Sequence, residues 1–290
     1  MNEYVIVTDA TCDLLPELIE KQNIKVIPMD FVLGEDPYMH YYDARNLGYE
    51  EFYTRIKGGE TAVTSQVSIN AAVEIFNEIL VSGKDIIYIA FSSGLSSSYD
   101  SMSKLGKELG EKNPDRKIYV IDSLCASGGE GLLVYLASIK KDEGMGLEDL
   151  VSWVEDTKLK VNHWVTVDDL YHLKRGGRLS ATAAIAGTVL SIKPQLKMDN
   201  EGKLVVIDKV RTRNKGLRDL LSKMKEHCIN PEEQIVFINH SYSLEDAKYL
   251  ETLVNEEFKV KDLVLNFIGP IIGSHTGIGT VALFFLSDKR

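Results

Sequence analysis

Basic residues are in deficit. The 290-residue chain carries 33 Lys and Arg against 43 Asp and Glu, a formal net charge of −10. Binding a phosphate backbone takes clustered cations, so a general nucleic-acid binder is not expected, and an acidic surface disfavours adsorption to anionic lipid. Cysteine is scarce as well. Cys12, Cys125 and Cys228 are odd in number and widely spaced, which fits neither a disulfide framework nor a zinc motif. No apolar run approaches the ~20 residues of a membrane span, and Asp9 and Asp13 stand where a signal peptide would need its apolar segment. These absences predict a reduced, cytoplasmic protein with no stable membrane insertion.

Several catalytic and cofactor signatures are missing too. There is no P-loop. Gly277-Ile278-Gly279-Thr280-Val281-Ala282 fits a dinucleotide pattern, but a strand rather than a helix follows it. Gly94-Leu95-Ser96-Ser97-Ser98 lacks the final glycine of a nucleophile elbow. No pair of histidines has metal-ligand spacing. Neither a metal nor a cofactor is expected.

What is present reads as α/β. The length and the 44% apolar content suit a large core and more naturally two domains than one. Tyr4 to Thr8, Ile24 to Pro28, Ile86 to Phe91 and Lys117 to Asp122 read as strands alternating with helices, which predicts a doubly wound parallel sheet in an N-terminal α/β domain, residues 1–160. The second half, 161–290, predicts a mixed-sheet α/β domain. Its elements are strands at Trp164 to Val167 and Gln234 to Asn239, a hairpin of Pro194 to Met198 with Lys203 to Val210, and strands flanking a glycine-rich loop from Gly269 to Gly279. Ala181 to Leu190 reads as a small-residue helix. Gly34 to Asn46 reads as irregular, and Thr64 to Ser68 as a hydroxyl-rich turn.

The chain is organised around Asp85 to Met102, DIIYIAFSSGLSSSYDSM. An apolar strand ends abruptly in Ser92, Ser93, Ser96, Ser97 and Ser98 around Gly94, and a helix follows. In an open α/β sheet the ligand site lies beyond the carboxyl ends of the strands, and a helix start supplies free N–H groups. One serine is explained as an N-cap; five are not, and a carboxylate or phosphate site is the better reading. The turn at Thr64-Ser65-Gln66 could converge on the same ligand. His275, among glycines, is the histidine placed to donate to an anion or act as acid or base. Arg178 and Arg211 lie in basic islands suited to a phosphate or a partner.

With these motifs in order, the chain resembles the DegV family of bacterial fatty-acid-binding proteins, which includes the binding subunit of fatty acid kinase. The resemblance spans TDATCDL at Thr8 to Leu14, TSQVS at Thr64 to Ser68, FSSGLSSSYDS at Phe91 to Ser101, VIDS at Val120 to Ser123, LKRGGRLS at Leu173 to Ser180, IKPQL at Ile192 to Leu196, KVRTR at Lys209 to Arg213 and GPIIGSHTGIG at Gly269 to Gly279. It implies a non-catalytic lipid carrier that holds a long-chain fatty acid inside, with its carboxylate near the domain junction. In that pattern Thr64 and Ser93 hydrogen-bond the carboxylate, His275 completes the network, and Ser65, Gln66, Gly94, Ser96 and Thr276 surround it. Arg178 and Arg211 fall where the family engages a separate ATP-dependent kinase or its phosphate, linking the protein to acyl-phosphate formation and phospholipid metabolism. Departures at Ala10, Ser97-Ser98 and Ile278 bear on chain preference and partner. Two other readings stand beside this one. The first is a serine-dependent acyl hydrolase or transferase using Ser93 or Ser96 with His275, which needs an orienting acid. The second is a binder of a small phosphorylated or polar metabolite.

Overall fold

The computed structural model of the protein describes residues 3–179 and 192–290. The chain opens with strand β1 (Tyr4–Asp9), helix α1 (Pro16–Lys21) and strand β2 (Lys25–Ile27). An antiparallel excursion follows: β3 (Met29–Leu33), β4 (Asp36–His40), helix α2 (Tyr49–Lys57) and β5 (Ala62–Val67). Alternation then resumes through α3 (Ile69–Val81), β6 (Asp85–Ala90), α4 (Ser98–Lys112), β7 (Ile118–Asp122), α5 (Gly128–Asp142) and α6 (Leu147–Thr157). The second half runs β8 (Val161–Thr166), α7 (Tyr171–Arg175), β9 (Ile192–Met198), β10 (Leu204–Arg211), α8 (Arg213–His227), β11 (Ile235–His240), α9 (Leu244–Glu257), β12 (Asp262–Phe267), α10 (Pro270–Thr276) and β13 (Val281–Leu286). The helix expected at Ala181 to Leu190 lies outside the described residues.

The four strands expected to be parallel are parallel, in the order β2-β1-β6-β7. All six residues of β6 are buried, because both faces of this sheet are covered. Ile86, Tyr88 and Ala90 pack with α3 and α4, while Ile87 and Ile89 pack with α5 on the other side. Two-residue periodicity thus sorts an unbroken apolar run into two layers. The second sheet is mixed, β10-β9-β8-β13-β11-β12, with β11 and β12 parallel and the other pairs antiparallel. Helices α8 and α9 cover one face of it. Phe237 and Phe284 on the opposite face join the cluster that also holds Ile87 and Ile89. Helix α5 is therefore a middle layer shared by both sheets.

Gly128-Gly129-Glu130-Gly131 makes that layer possible. A Cβ at Gly128 would overlap the Asn239 side chain, one at Gly129 the His163 ring and one at Gly131 the Cys12 carbonyl. Glu130, fully buried, faces β1. Its Oε1 lies 3.0 Å from Thr8 Oγ1, which also lies 2.9 Å from the Ile89 carbonyl; its Oε2 lies 2.8 Å from Thr11 Oγ1, itself 2.5 Å from Asp9 Oδ1. The two threonine hydroxyls bring two hydrogens to four contacts with acceptor-only oxygens, and a proton on Glu130 supplies a third. Desolvation, reinforced by Asp9, holds the Glu130 carboxyl well above the usual range. Geometry and burial both favour the neutral carboxyl.

Three local expectations change. Gly34 to Asn46 begins with the β3–β4 hairpin, which turns at Gly34 with φ 63°. Thr64 to Val67 belongs to a strand, because β5 pairs with β3 and shifts register between Met29 and Phe31. Gly269 to Gly279 contains helix α10, started by Pro270 at its first position, where the missing N–H costs nothing.

Candidate functional site

A cavity lies where the parallel sheet, the mixed sheet and the three-stranded antiparallel sheet β4-β3-β5 meet. Its interior walls are Met29, Phe91, Leu95, Ala126, Val165, Leu173, Met198, Leu204, Ile268, Ile271, Ile272, Ala282 and Phe284, contributed by both halves of the chain. Polar groups lining it include Thr64, Ser65, Gln66, Ser96, Ser97, Arg178, His275 and Thr276. The centre of a water molecule can move through about 150 Å³ of it.

The register shift in β5 explains how consecutive residues reach one site. A regular strand would send Thr64 and Ser65 to opposite faces. Here Met29 pairs with Val67 while Phe31 pairs with Thr64, so β5 carries an extra residue through Ser65 and Gln66. Bulges re-aim side chains in this way. Gln66 Oε1 then accepts the Ser101 hydroxyl at 2.6 Å and the Ser97 hydroxyl at 3.4 Å, and Ser98 Oγ accepts the Val67 N–H at 3.0 Å. The two hydroxyl-rich segments thus meet through these bonds.

The serines divide the work. Ser97 is the N-cap residue of α4 without a side-chain cap bond; the Ser98 N–H is taken instead by Ser96 Oγ at 3.2 Å. Ser92 is buried and donates to the Gly202 carbonyl at 2.7 Å, fastening the β9–β10 hairpin tip onto the turn. Gly94 sits against that tip, where a Cβ would come within 2.5 Å of the Gly202 carbonyl oxygen. Neither Ser93 nor Gly94 lines the cavity. Ser93, expected to bind a carboxylate, is exposed, and its N–H donates to Asp122 Oδ1 at 3.1 Å. Half-buried Ser96 and exposed Ser97 line the cavity instead, while Ser92 is tethered to the hairpin and Ser93 is left on the outside.

His275 is half-buried, with Nε2 2.8 Å from Thr64 Oγ1. Gly176 leaves room for the imidazole, since a Cβ there would overlap Nδ1. Burial, with Arg178 and Arg175 nearby, holds the ring down to about 4, so it is neutral at pH 7. Nδ1 has no partner among the described residues. A proton there would be a buried donor without an acceptor, so we assign the proton to Nε2. Nε2–H then donates to Thr64, whose own hydroxyl hydrogen is free for a ligand. Thr276 donates to the Ile272 carbonyl at 3.3 Å.

Arg178 comes to the cavity wall. Its guanidinium donates to the carbonyls of Leu95 at 3.1 Å and Gly176 at 2.5 Å, placing a fixed cation beside His275. Arg211 is exposed at the end of β10 and does not line the cavity. The hydrolase arrangement is not assembled: Nε2 of His275 faces a threonine, and no carboxylate reaches Nδ1 among the described residues. Nor do the described residues group three metal-ligating side chains.

Sequence reading passed over two groups in the wall. His163 lines the cavity; its Nδ1 donates to the Val161 carbonyl at 3.1 Å, and its Nε2 accepts the Ala126 N–H at 3.1 Å. Ser127 also lines it, with φ 52° and its hydroxyl directed onto Asp13 Oδ2. The glycine pair beside Ser127 was the available signal of a close approach.

A model described as "Uncharacterised protein, DegV family" matches residues 3–288. A DegV domain-containing protein of Clostridium perfringens is 41% identical over 290 residues, covering 100% of this chain and 99% of the relative. The fatty acid binding DegV family protein of Streptococcus agalactiae is 29% identical with a TM-score of 0.85, covering 99% of each chain. DegV of Bacillus subtilis, a fatty acid binding protein, is 28% identical with a TM-score of 0.84, covering 99% of this chain and 100% of that one. The fold, the ordered motifs and these likenesses agree: the chain belongs to the DegV family.

Proposed function

We propose that the protein binds a long-chain fatty acid in the cavity between its sheets, with the carboxylate on Thr64, Ser96 and Arg178 and with His275 orienting Thr64. The observation that carries this reading is the chemical contrast within one cavity: aliphatic and aromatic walls from both halves, joined to a cluster of hydroxyls beside a neutral imidazole and one guanidinium. A small polar metabolite would leave those apolar walls wet. The two structural relatives described as fatty acid binding proteins support the same ligand class.

The energetics follow from that contrast. Each buried CH₂ contributes about 0.8 kcal/mol, so the tail supplies most of the affinity before ordering costs. A charge-assisted hydrogen bond to the head contributes about 1.5–3 kcal/mol and fixes the orientation. Gln66, Ser97 and Ser101 are exposed or half-buried, so a carboxylate held beside them sits near the surface. An end within reach of solvent suits presentation to a separate ATP-dependent kinase that forms the acyl phosphate, with Arg178 beside the transferred group. Arg211 would serve that partner from the surface.

The test is native mass spectrometry of the purified protein, followed by organic extraction and identification of the co-purifying species. A stoichiometric long-chain fatty acid is expected. An apo mass that stays unchanged after incubation with a panel of fatty acids would refute the reading.

A further inference from the structure

Asp13 is not among the residues lining the cavity, yet it holds two segments that wall it. It is 5% exposed. Its Oδ2 accepts the Ser127 hydroxyl at 2.5 Å and its Oδ1 accepts the Gly269 N–H at 2.9 Å. Its main-chain carbonyl accepts the Asn266 and Asn239 amides at 2.8 and 3.3 Å. Ser127 lines the cavity, and Gly269 precedes α10, which carries Ile271, Ile272, His275 and Thr276 to it. Ser127 itself sits at φ 52°, ψ −139°, backbone that a residue with a Cβ keeps only where its surroundings hold it.

We infer that Asp13 is a positioning residue for the ligand site, fixing Ser127 in the wall and the start of the His275 helix, and that ligand affinity requires its carboxylate to be ionised. The inference rests on the fatty-acid reading above. An ionised carboxylate accepts from both Ser127 and Gly269. A proton on Oδ2 turns that oxygen into a donor, forces the Ser127 hydrogen elsewhere and removes the charge that strengthens the Gly269 bond.

The titratable groups around Asp13 are Asp9 and Cys12 on its own turn, Glu130 on α5, His40 on β4, Tyr49 and Tyr53 on α2, and His240 on β11. Burial holds His40 and His240 down to about 4 and raises Glu130, Cys12 and both tyrosines above their ordinary values. Burial also pushes the Asp13 carboxyl up to about 7, against the lowering effect of the Ser127 and Gly269 bonds and with Asp9 adding to the rise. That value puts the charge change of Asp13 between pH 6 and 8.

The experiment compares dissociation constants for oleate at pH 7.5 and pH 6.0 in the wild type and in Asp13→Asn, both checked for fold by circular dichroism. Protonation of the ligand affects both proteins alike, so the wild-type-to-variant ratio isolates Asp13. If only the ionised form binds, its population falls about eightfold over this interval, and the ratio should move towards that factor. A ratio that moves less than twofold overturns the inference, as does a variant that loses thermal stability while keeping the wild-type pH profile. Should Asp13→Asn not fold, Ser127→Ala takes its place: its affinity at pH 7.5 should drop towards the wild-type value at pH 6.0, and an unchanged affinity overturns the inference. If the wild type binds no fatty acid at either pH, the underlying reading falls with it; binding with an unmoved ratio removes the inference alone.

Discussion

Replacing Glu130 with Gln should make the protein more stable at neutral pH, although the residue is completely buried and bonded on both oxygens. The hydrogen count around Thr8 and Thr11 favours a neutral carboxyl, whose proton supplies a third hydrogen to four contacts, and burial raises its pKa from 4.5. Folding at pH 7 then requires Glu130 to take up a proton that the unfolded chain has released. That uptake costs about 1.4 kcal/mol for each pH unit above 4.5, hence ~3 kcal/mol at pH 7. Gln is neutral at every pH and of similar shape, and its amide nitrogen can supply the same third hydrogen to Thr8 or Thr11. The sign follows from the raised folded-state pKa: Glu130 contributes fully below about pH 4.5, and that contribution is lost as pH rises. Equilibrium denaturation in urea at pH 7 and pH 4.5 should show Glu130→Gln ahead by up to ~3 kcal/mol at the higher pH and nearly level with the wild type at the lower. Titrations elsewhere in the chain cancel in the difference. A variant that is less stable at pH 7 by an amount that does not change with pH would refute the neutral-carboxyl argument.

Two further predictions concern the ligand site. Thr64→Val, which keeps the shape and deletes the hydroxyl, should weaken fatty-acid binding about 10- to 100-fold by calorimetric titration, while Ser93→Ala should leave it within about twofold; equal losses in the two variants would restore Ser93 to the carboxylate site. Gly176→Ala puts a methyl group onto His275 Nδ1 and should lower affinity at least as far as His275→Ala does, read by displacement of a fluorescent fatty acid, with little change in melting temperature.

The parallel sheet was legible because β1, β6 and β7 are short, mostly apolar runs that end in turn residues, a pattern set in the inner strands β1 and β6 by burial on both faces. The hairpin at β3–β4 was not, since Asp36–His40 carries a Pro and two polar residues on an edge strand, where composition is free to look like loop. Helix α10 was hidden for a similar reason: glycines at 269, 273, 277 and 279 read as a loop, while Gly269 in fact accommodates Asp13 and Gly273 the Tyr53 ring. At the site, the convergence of Thr64 to Gln66 with the serine turn could be read from its hydroxyls. The side each serine faces could not, because it depends on Ser92 meeting Gly202 from 110 positions later in the chain. His163 and Ser127 escaped for the same reason, each held by a partner on a distant segment, Ala126 and Asp13.

Strand β13 (residues 281–286) lies in the interior of the mixed sheet, between β8 and β11. Until those residues leave the ribosome, β8 and β11 have no common neighbour, and the face that should close over α5 stays open. The first half can form its parallel sheet during synthesis, but α5 then waits with one apolar side uncovered. Such an intermediate is exposed to aggregation. The cavity, lined by Ala282 and Phe284 of that same strand, can be completed only after translation has passed it, so a nascent chain stalled earlier has no enclosed site to offer a ligand.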